Sequence, residues 1–112
     1  MKLWIDDIRP APDGYVWCKS TLNALHTIYK YRFNEITEIH LDHDAGEYVK
    51  EGGDFINVLN ELERLANSKN AFKSAFWKNK CQEFIFVLHS QNAVGVQNMR
   101  AIIERNNWKE IR

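Results

Sequence analysis

Two hydrophobic periods take turns along this chain, one typical of strands and one typical of helices. Lys2 to Ile8 is a short apolar run carrying two carboxylates near its end, and it reads as a first strand. Arg9-Pro10-Ala11-Pro12-Asp13-Gly14 reads as a turn, since two prolines fix φ and Asp-Gly favours reversal. Tyr15 to Cys18 reads as a second strand. Ser20 or Thr21 then caps a helix with Leu22, Leu25, Ile28 and Tyr29 on one face. Ile36 to Leu41 reads as a third strand, ending in Asp42-His43-Asp44-Ala45-Gly46. Gly52-Gly53-Asp54 breaks the chain and caps a second helix with an apolar stripe of Phe55, Val58, Leu59, Leu62 and Ala66. Residues 67–82 are rich in Asn, Lys and Ser, and they read as an irregular or short helical connection pinned by Phe72, Phe76 and Trp77. Phe84 to Leu88 is apolar throughout, which suits a strand buried on both faces. A further helix carries Val96, Met99, Ile102 and Ile103, and Trp108 to Arg112 reads as a last edge strand.

Strands alternating with amphipathic helices imply a right-handed α/β sandwich with a mostly parallel sheet. The first two strands are joined by a connection too short for a crossover helix, so that pair is either antiparallel or irregularly connected. Residues 1–112 read as one domain, without repeats, low-complexity tracts or linkers.

Composition narrows the picture. The chain has 112 residues and is 45% apolar, enough for one core and too little for two. Fifteen basic residues balance fifteen acidic ones, so no global field draws it to long nucleic acid or an anionic membrane. Two cysteines, Cys18 and Cys81, are too few for a disulfide framework. The opening residues lack the apolar run of a signal peptide, and no segment is long enough to span a bilayer. A cytoplasmic protein is the expectation.

Candidate chemistry emerges from position. Asp6-Asp7 follows the first strand, Asp42-His43-Asp44 follows the third, and His89-Ser90-Gln91-Asn92 follows the Phe84–Leu88 strand. In an open parallel sheet the carboxyl ends of the strands share one edge, where ligands bind. Carboxylates gathered there repel one another by roughly 4 kcal/mol per pair at about 4 Å and an effective dielectric near 20. Relief requires protonation or a cation, and oxygen ligands without thiolates favour a hard ion, Mg²⁺ first and Mn²⁺ second. Such an ion takes its remaining ligands from phosphate oxygens. Ser90, Asn92 and the first amides of the following helix are suitable phosphate donors, and Arg9 joins them as a basic side chain beside the acidic pair. Blander readings stand beside each residue taken singly. Asp6-Asp7 is also what a solvated strand end looks like, Asp42 suits a turn cap, Arg9 an anchor for Asp13, and Asn92 and Gly95 a helix start. His40 reads as a face or core histidine, His26 as a surface one.

The residues Asp6-Asp7, Asp42 and Ser90, each after a strand, resemble the receiver domain of response regulators. More closely, Leu3-Trp4-Ile5-Asp6-Asp7-Ile8-Arg9-Pro10, Leu41-Asp42-His43-Asp44-Ala45-Gly46, Gly53-Asp54, and His89-Ser90-Gln91-Asn92-Ala93-Val94-Gly95 with Asn98-Met99 resemble the compact receiver-like family named for cyclic-phosphate processing. The resemblance implies a three-layer, flavodoxin-like sandwich whose first crossover helix is reduced or missing. It implies that Asp6, Asp7 and Asp42 hold a metal with Asp44 assisting, that Asp42 stands where a receiver accepts its phosphoryl group, that His43 and His89 supply acid–base or phosphate contacts, and that Ser90 and Asn92 bind phosphate. Ala93 stands where the family tends to have proline. A receiver also expects a lysine at the end of its last strand, and only Lys109 is available.

Three functions compete at this point. One is a metal-dependent phosphoesterase acting on cyclic phosphates, with a small phosphorylated ligand or an RNA end as partner. The second is a regulatory module that accepts a phosphoryl group on Asp42 or binds a phosphate ligand without turnover. The third is an interaction domain using the aromatics of residues 72–77.

Overall fold

The computed structural model describes residues 1–112. Its strands are β1 (Lys2–Ile5), β2 (Tyr15–Cys18), β3 (Glu38–Leu41), β4 (Ile85–Leu88) and β5 (Lys109–Ile111). Its helices are α1 (Thr21–Lys30), α2 (Ile56–Ala66), α3 (Ala71–Glu83) and α4 (Ala93–Arg105), with a 3₁₀ turn at Gly46–Tyr48. The strands form one sheet in the order β2-β1-β3-β4-β5, and every pair is parallel. This is the receiver-like α/β arrangement that the alternating periods and the resemblance imply.

The β1–β2 connection settles the choice left open above. Lys2 lies opposite Tyr15 and Ile5 opposite Cys18, so the pair is parallel and irregularly connected. No helix occurs between them. Pro10 and Pro12 hold the returning segment away from helical hydrogen bonding, and the Trp4 indole Nε1 donates to the Arg9 carbonyl at 2.9 Å to pin it across the sheet.

Helix α2 touches α1, α3 and α4, which places all four helices on one face of the sheet. That face carries the core: Leu3, Ile5, Ile39, Leu41 and Phe86 from the strands meet Ile28, Val58, Leu59, Leu62, Met99 and Ile103 from the helices. Each such side chain contributes roughly 1.5–3 kcal/mol on burial. Of the three layers expected, this chain fills two. The missing crossover helix is the element that would have covered the second face, where Trp4, Tyr15, His40, Ile85 and Val87 lie instead. For the same reason β4 is not buried on both faces: Phe86 is inaccessible, while its neighbours Ile85 and Val87 are only partly covered.

Three local readings are corrected. Residues 71–83 form a full helix of 13 residues, capped by Asn70, whose side chain accepts from the Lys73 amide. Its buried stripe is Ser74, Trp77, Lys80 and Cys81, half of it polar, so the apolar period is masked. Helix α1 is capped by Ser20 and buries Thr21, Ala24, Thr27 and Ile28, whereas Leu22 and Tyr29 are exposed. Asp54 does not cap α2; its carboxylate accepts from the Ala45 amide at 2.9 Å and ties the loop after β3 to the start of α2.

Candidate functional site

Because β1, β3 and β4 are parallel neighbours, their carboxyl ends deliver Asp6-Asp7, Asp42-His43-Asp44 and His89-Ser90 to one edge. Carboxylate oxygens of Asp6, Asp7 and Asp42 lie within 4.8 Å of one another. They line a hollow of about 310 Å³ with Arg9, Asp44, Ser90 and Asn92. The separate stretches of sequence singled out for chemistry therefore meet.

The three carboxylates are held differently. Asp6 is 2% exposed. One of its oxygens accepts from the Ile8 and Arg9 amides, and the other pairs with the Arg9 guanidinium at 2.8 Å. Arg9 thus anchors Asp6 rather than Asp13, and its second nitrogen donates to the His89 carbonyl, tying the end of β1 to the end of β4. Asp42 turns one oxygen back to the His43 amide at 2.8 Å. Asp7 has no cationic partner. Its carboxyl is held above the ordinary value, first by burial, a backbone hydrogen bond opposing, and further by the charges of Asp6, Asp42 and Asp44. Gly46 makes room for it: with φ at +55°, a Cβ on Gly46 would stand 2.2 Å from an Asp7 oxygen.

Asp44 lines the hollow but turns its carboxylate to the His43 Nδ1 at 3.0 Å and lies 3.4 Å from the Asn92 amide. His43 is itself packed over the first turn of α4, so close to Gly95 that a Cβ there would meet its ring at 2.5 Å. Neither its ring nor that of His89 lines the hollow. Ser90 Oγ accepts from the Asn92 amide, and Asn92 caps α4 through the Gly95 amide at 2.9 Å. The cap aims the start of α4, and the favourable field that goes with it, toward the acidic hollow.

His40, read from sequence as a face or core histidine, is joined to His89. Its Nδ1 lies 2.6 Å from the His89 Nε2, and its Nε2 lies 2.9 Å from Glu38, which pairs with Lys2 at 3.2 Å. Trp4 and Tyr15 pack around the two rings. Burial, then the neighbouring His40 and Arg9, lowers the pKa of His89 below its ordinary value. The signal for this chain of side chains was present as period-two alternation, which puts Glu38 and His40 on one face, but it needs the β3–β4 pairing to become visible.

Lys109 begins β5 opposite Ile85, at the amino edge, and so lies at the far end of the strand from the acidic hollow. A larger hollow of about 540 Å³ also opens at the amino edge, around Phe33, Phe76 and Lys80. The Lys80 ammonium there is engaged by the Asn34 carbonyl and Glu83. Among the aromatics of residues 72–77, Trp77 is part of the core and only Phe72 is freely exposed, at 90%. Cys18 and Cys81 are buried free thiols, and burial pushes the Cys81 thiol up to about 12, far from a reactive thiolate.

No curated protein and no solved structure matches the chain. A family model does, and it covers residues 1–105. The acidic edge, the His-Ser-x-Asn turn and the all-parallel sheet are thus found in a chain that belongs to the cyclic-phosphate processing receiver domain family.

Proposed function

We propose that the protein is a metal-dependent phosphoesterase that opens small cyclic phosphates, with Mg²⁺ as the first choice of ion and Mn²⁺ as the second. The observation that carries this reading is the meeting of Asp6, Asp7 and Asp42 with Ser90 and the capped start of α4 in one hollow. Hard oxygen donors at this spacing suit a divalent cation, and Asp7, without a cationic partner of its own, is the carboxylate most in need of one. Arg9 is already paired with Asp6, so the protein's own charges leave the hollow negative and unfit for a bare phosphate. When bound, the ion supplies charge neutralisation and polarises a phosphoryl oxygen. Ser90, Asn92 and the α4 amides orient the phosphate. In the reaction water adds to phosphorus, one of the two ring P–O ester bonds breaks, and the leaving alkoxide takes a proton, giving a phosphomonoester. We assign that proton traffic to His89, which follows β4 at the same edge and feels the charges of Asp6 and Asp42, although its ring stands outside the lining of the hollow. The size of the hollow and the balanced net charge favour a nucleotide or a short RNA end over long nucleic acid.

The test is turnover of a panel of cyclic nucleotides and RNA 2′,3′-cyclic ends with Mg²⁺. Activity is expected to be removed by chelation and to fall at least 100-fold in Asp42→Asn. No turnover across the panel overturns the reading. Incubation with acetyl phosphate and Mg²⁺ followed by intact mass separates the regulatory alternative, which requires a stable phosphate on Asp42. The position of Lys109 at the opposite edge counts against that alternative.

A further inference from the structure

We infer that Glu38 and His40 are positioning residues that lock His89 in one tautomer, leaving its Nδ1 as a solvent-open lone-pair acceptor just past the end of β4. The inference rests on the proposed phosphoesterase reading for its catalytic consequence, but not for the tautomer itself. The geometry comes first. The two ring centroids are 4.9 Å apart, the ring planes differ by 11°, and the nearest nitrogens are 2.6 Å apart. Rings stacked face to face at that centroid distance cannot bring nitrogens so close. They lie almost in one plane and meet nitrogen to nitrogen, so a single hydrogen bond joins them.

The direction of that bond follows from the far end of the chain. Glu38 is a carboxylate and only accepts, so His40 must carry a proton on Nε2 to bond it at 2.9 Å. A neutral His40 then has a bare lone pair on Nδ1, and the bond to His89 forms only if His89 Nε2 carries the proton. Lys2 already balances the Glu38 charge at 3.2 Å, so the imidazoles need none of their own. With Nε2 of His89 used as a donor, its Nδ1 is left unprotonated. No protein group bonds that atom, and no buried side-chain nitrogen in the molecule lacks a partner, so Nδ1 is open to solvent. The ring packs against Trp4 at 5.0 Å, and the Arg9 guanidinium holds the backbone carbonyl of the same residue, which restrains where the ring can go. The arrangement follows the logic by which a carboxylate fixes a catalytic imidazole, lengthened by one ring.

Reversing the charges at the far end reverses the prediction. In the double variant Lys2→Glu, Glu38→Lys the pair is kept, but the side chain facing His40 becomes a donor. His40 must then hold its proton on Nδ1 and give it to the His89 Nε2, which moves the His89 proton to Nδ1. Long-range ¹H–¹⁵N correlation spectra of histidine-labelled protein at pH 7.5 read each tautomer directly. The expected result is Nε2–H for both rings in the wild type, Nδ1–H for both in the swapped variant, and a mixture in the milder Glu38→Gln. A wild-type His89 protonated on Nδ1, a doubly protonated His40, or a swapped variant that keeps Nε2–H on His89 overturns the inference. With a cyclic substrate, the swap should lower kcat roughly 100-fold and leave KM unchanged. An inverted tautomer with unchanged kcat removes the catalytic role. An inactive wild type defeats the phosphoesterase reading, while the spectra still decide the tautomer.

Discussion

The two faces of the sheet are made by the same short strands and do opposite work. On the helix-covered face Leu3, Ile5, Ile39, Leu41 and Phe86 are inaccessible and belong to one apolar core cluster. On the other face Lys2, Trp4, Tyr15, Glu38 and His40 make ion pairs, ring contacts and an imidazole–imidazole bond. Parallel sheets ordinarily hide both faces beneath helices. Here the second face is covered by its own aromatic rings and by the proline-bearing segment after β1. Losing one helix frees a face for polar chemistry, provided the remaining face holds the fold. Stability and chemistry are thereby separated by one residue along the strand.

The largest test of that separation is a pair of truncations. Phe86→Ala removes a fully buried ring packed between Phe84 and Trp108, and should cost about 3–5 kcal/mol by urea unfolding. Tyr15→Ala on the opposite face should cost about 1–2 kcal/mol, because its ring is partly exposed and borders Trp4, His40 and the Lys2 ammonium rather than a closed core. Equal costs would mean that the second face is as much a core as the first.

Next comes Gly46→Ala, which should cost about 1–3 kcal/mol, since the residue sits at φ +55° and its new methyl would displace the Asp7 carboxylate. The rise in Tm with Mg²⁺ that the proposed cation site predicts should shrink with it. A variant that loses stability but keeps the full Mg²⁺ response would separate Asp7 from the cation.

Asp7→Asn should have a smaller effect of opposite sign. Asp7 binds its proton more tightly folded than unfolded, so the folded state is penalised as pH rises through its titration. Removing the charge should stabilise the metal-free protein by roughly 1 kcal/mol and abolish the Tm rise with Mg²⁺. The gain should vanish when both proteins are compared below the ordinary carboxylate range. Destabilisation at neutral pH would show that Asp7 is satisfied without a cation.

The acidic edge was legible in the sequence because it depends on one rule, that parallel strands end together. Asp6, Asp7, Asp42 and Ser90 each follow an apolar run, and no side-chain detail is needed to bring them to one edge. What escaped depends on detail of another kind. Helix α3 hid behind Ser74 and Lys80, polar residues that stay buried because each finds a backbone carbonyl, at Ala66 and Asn34. The parallel β1–β2 pair hid behind a short connection, since nothing in the residues says that nine positions can recross a sheet without a helix. Roles within the site also depend on contacts: sequence put Arg9 with phosphate or Asp13, and the structure pairs it with Asp6.

The smallest expected effect tests the weakest sequence signal. Leu22, Leu25, Ile28 and Tyr29 are spaced as a buried stripe, yet only Ile28 is inaccessible, and Leu22 and Tyr29 are each 56% exposed. The reason is that α1 packs through Ala24 and Thr27, small residues that let it approach the sheet beside β2, with Thr27 returning its hydroxyl to the Asn23 carbonyl at 2.8 Å. Leu22→Gln should therefore shift stability by no more than about 0.5 kcal/mol, as surface changes do. Ala24→Leu, one turn face away, should cost about 1–3 kcal/mol because the added volume has nowhere to go. If urea unfolding instead finds Leu22→Gln the more damaging of the two, α1 is rotated about its axis relative to the arrangement described, and the periodicity was the better guide.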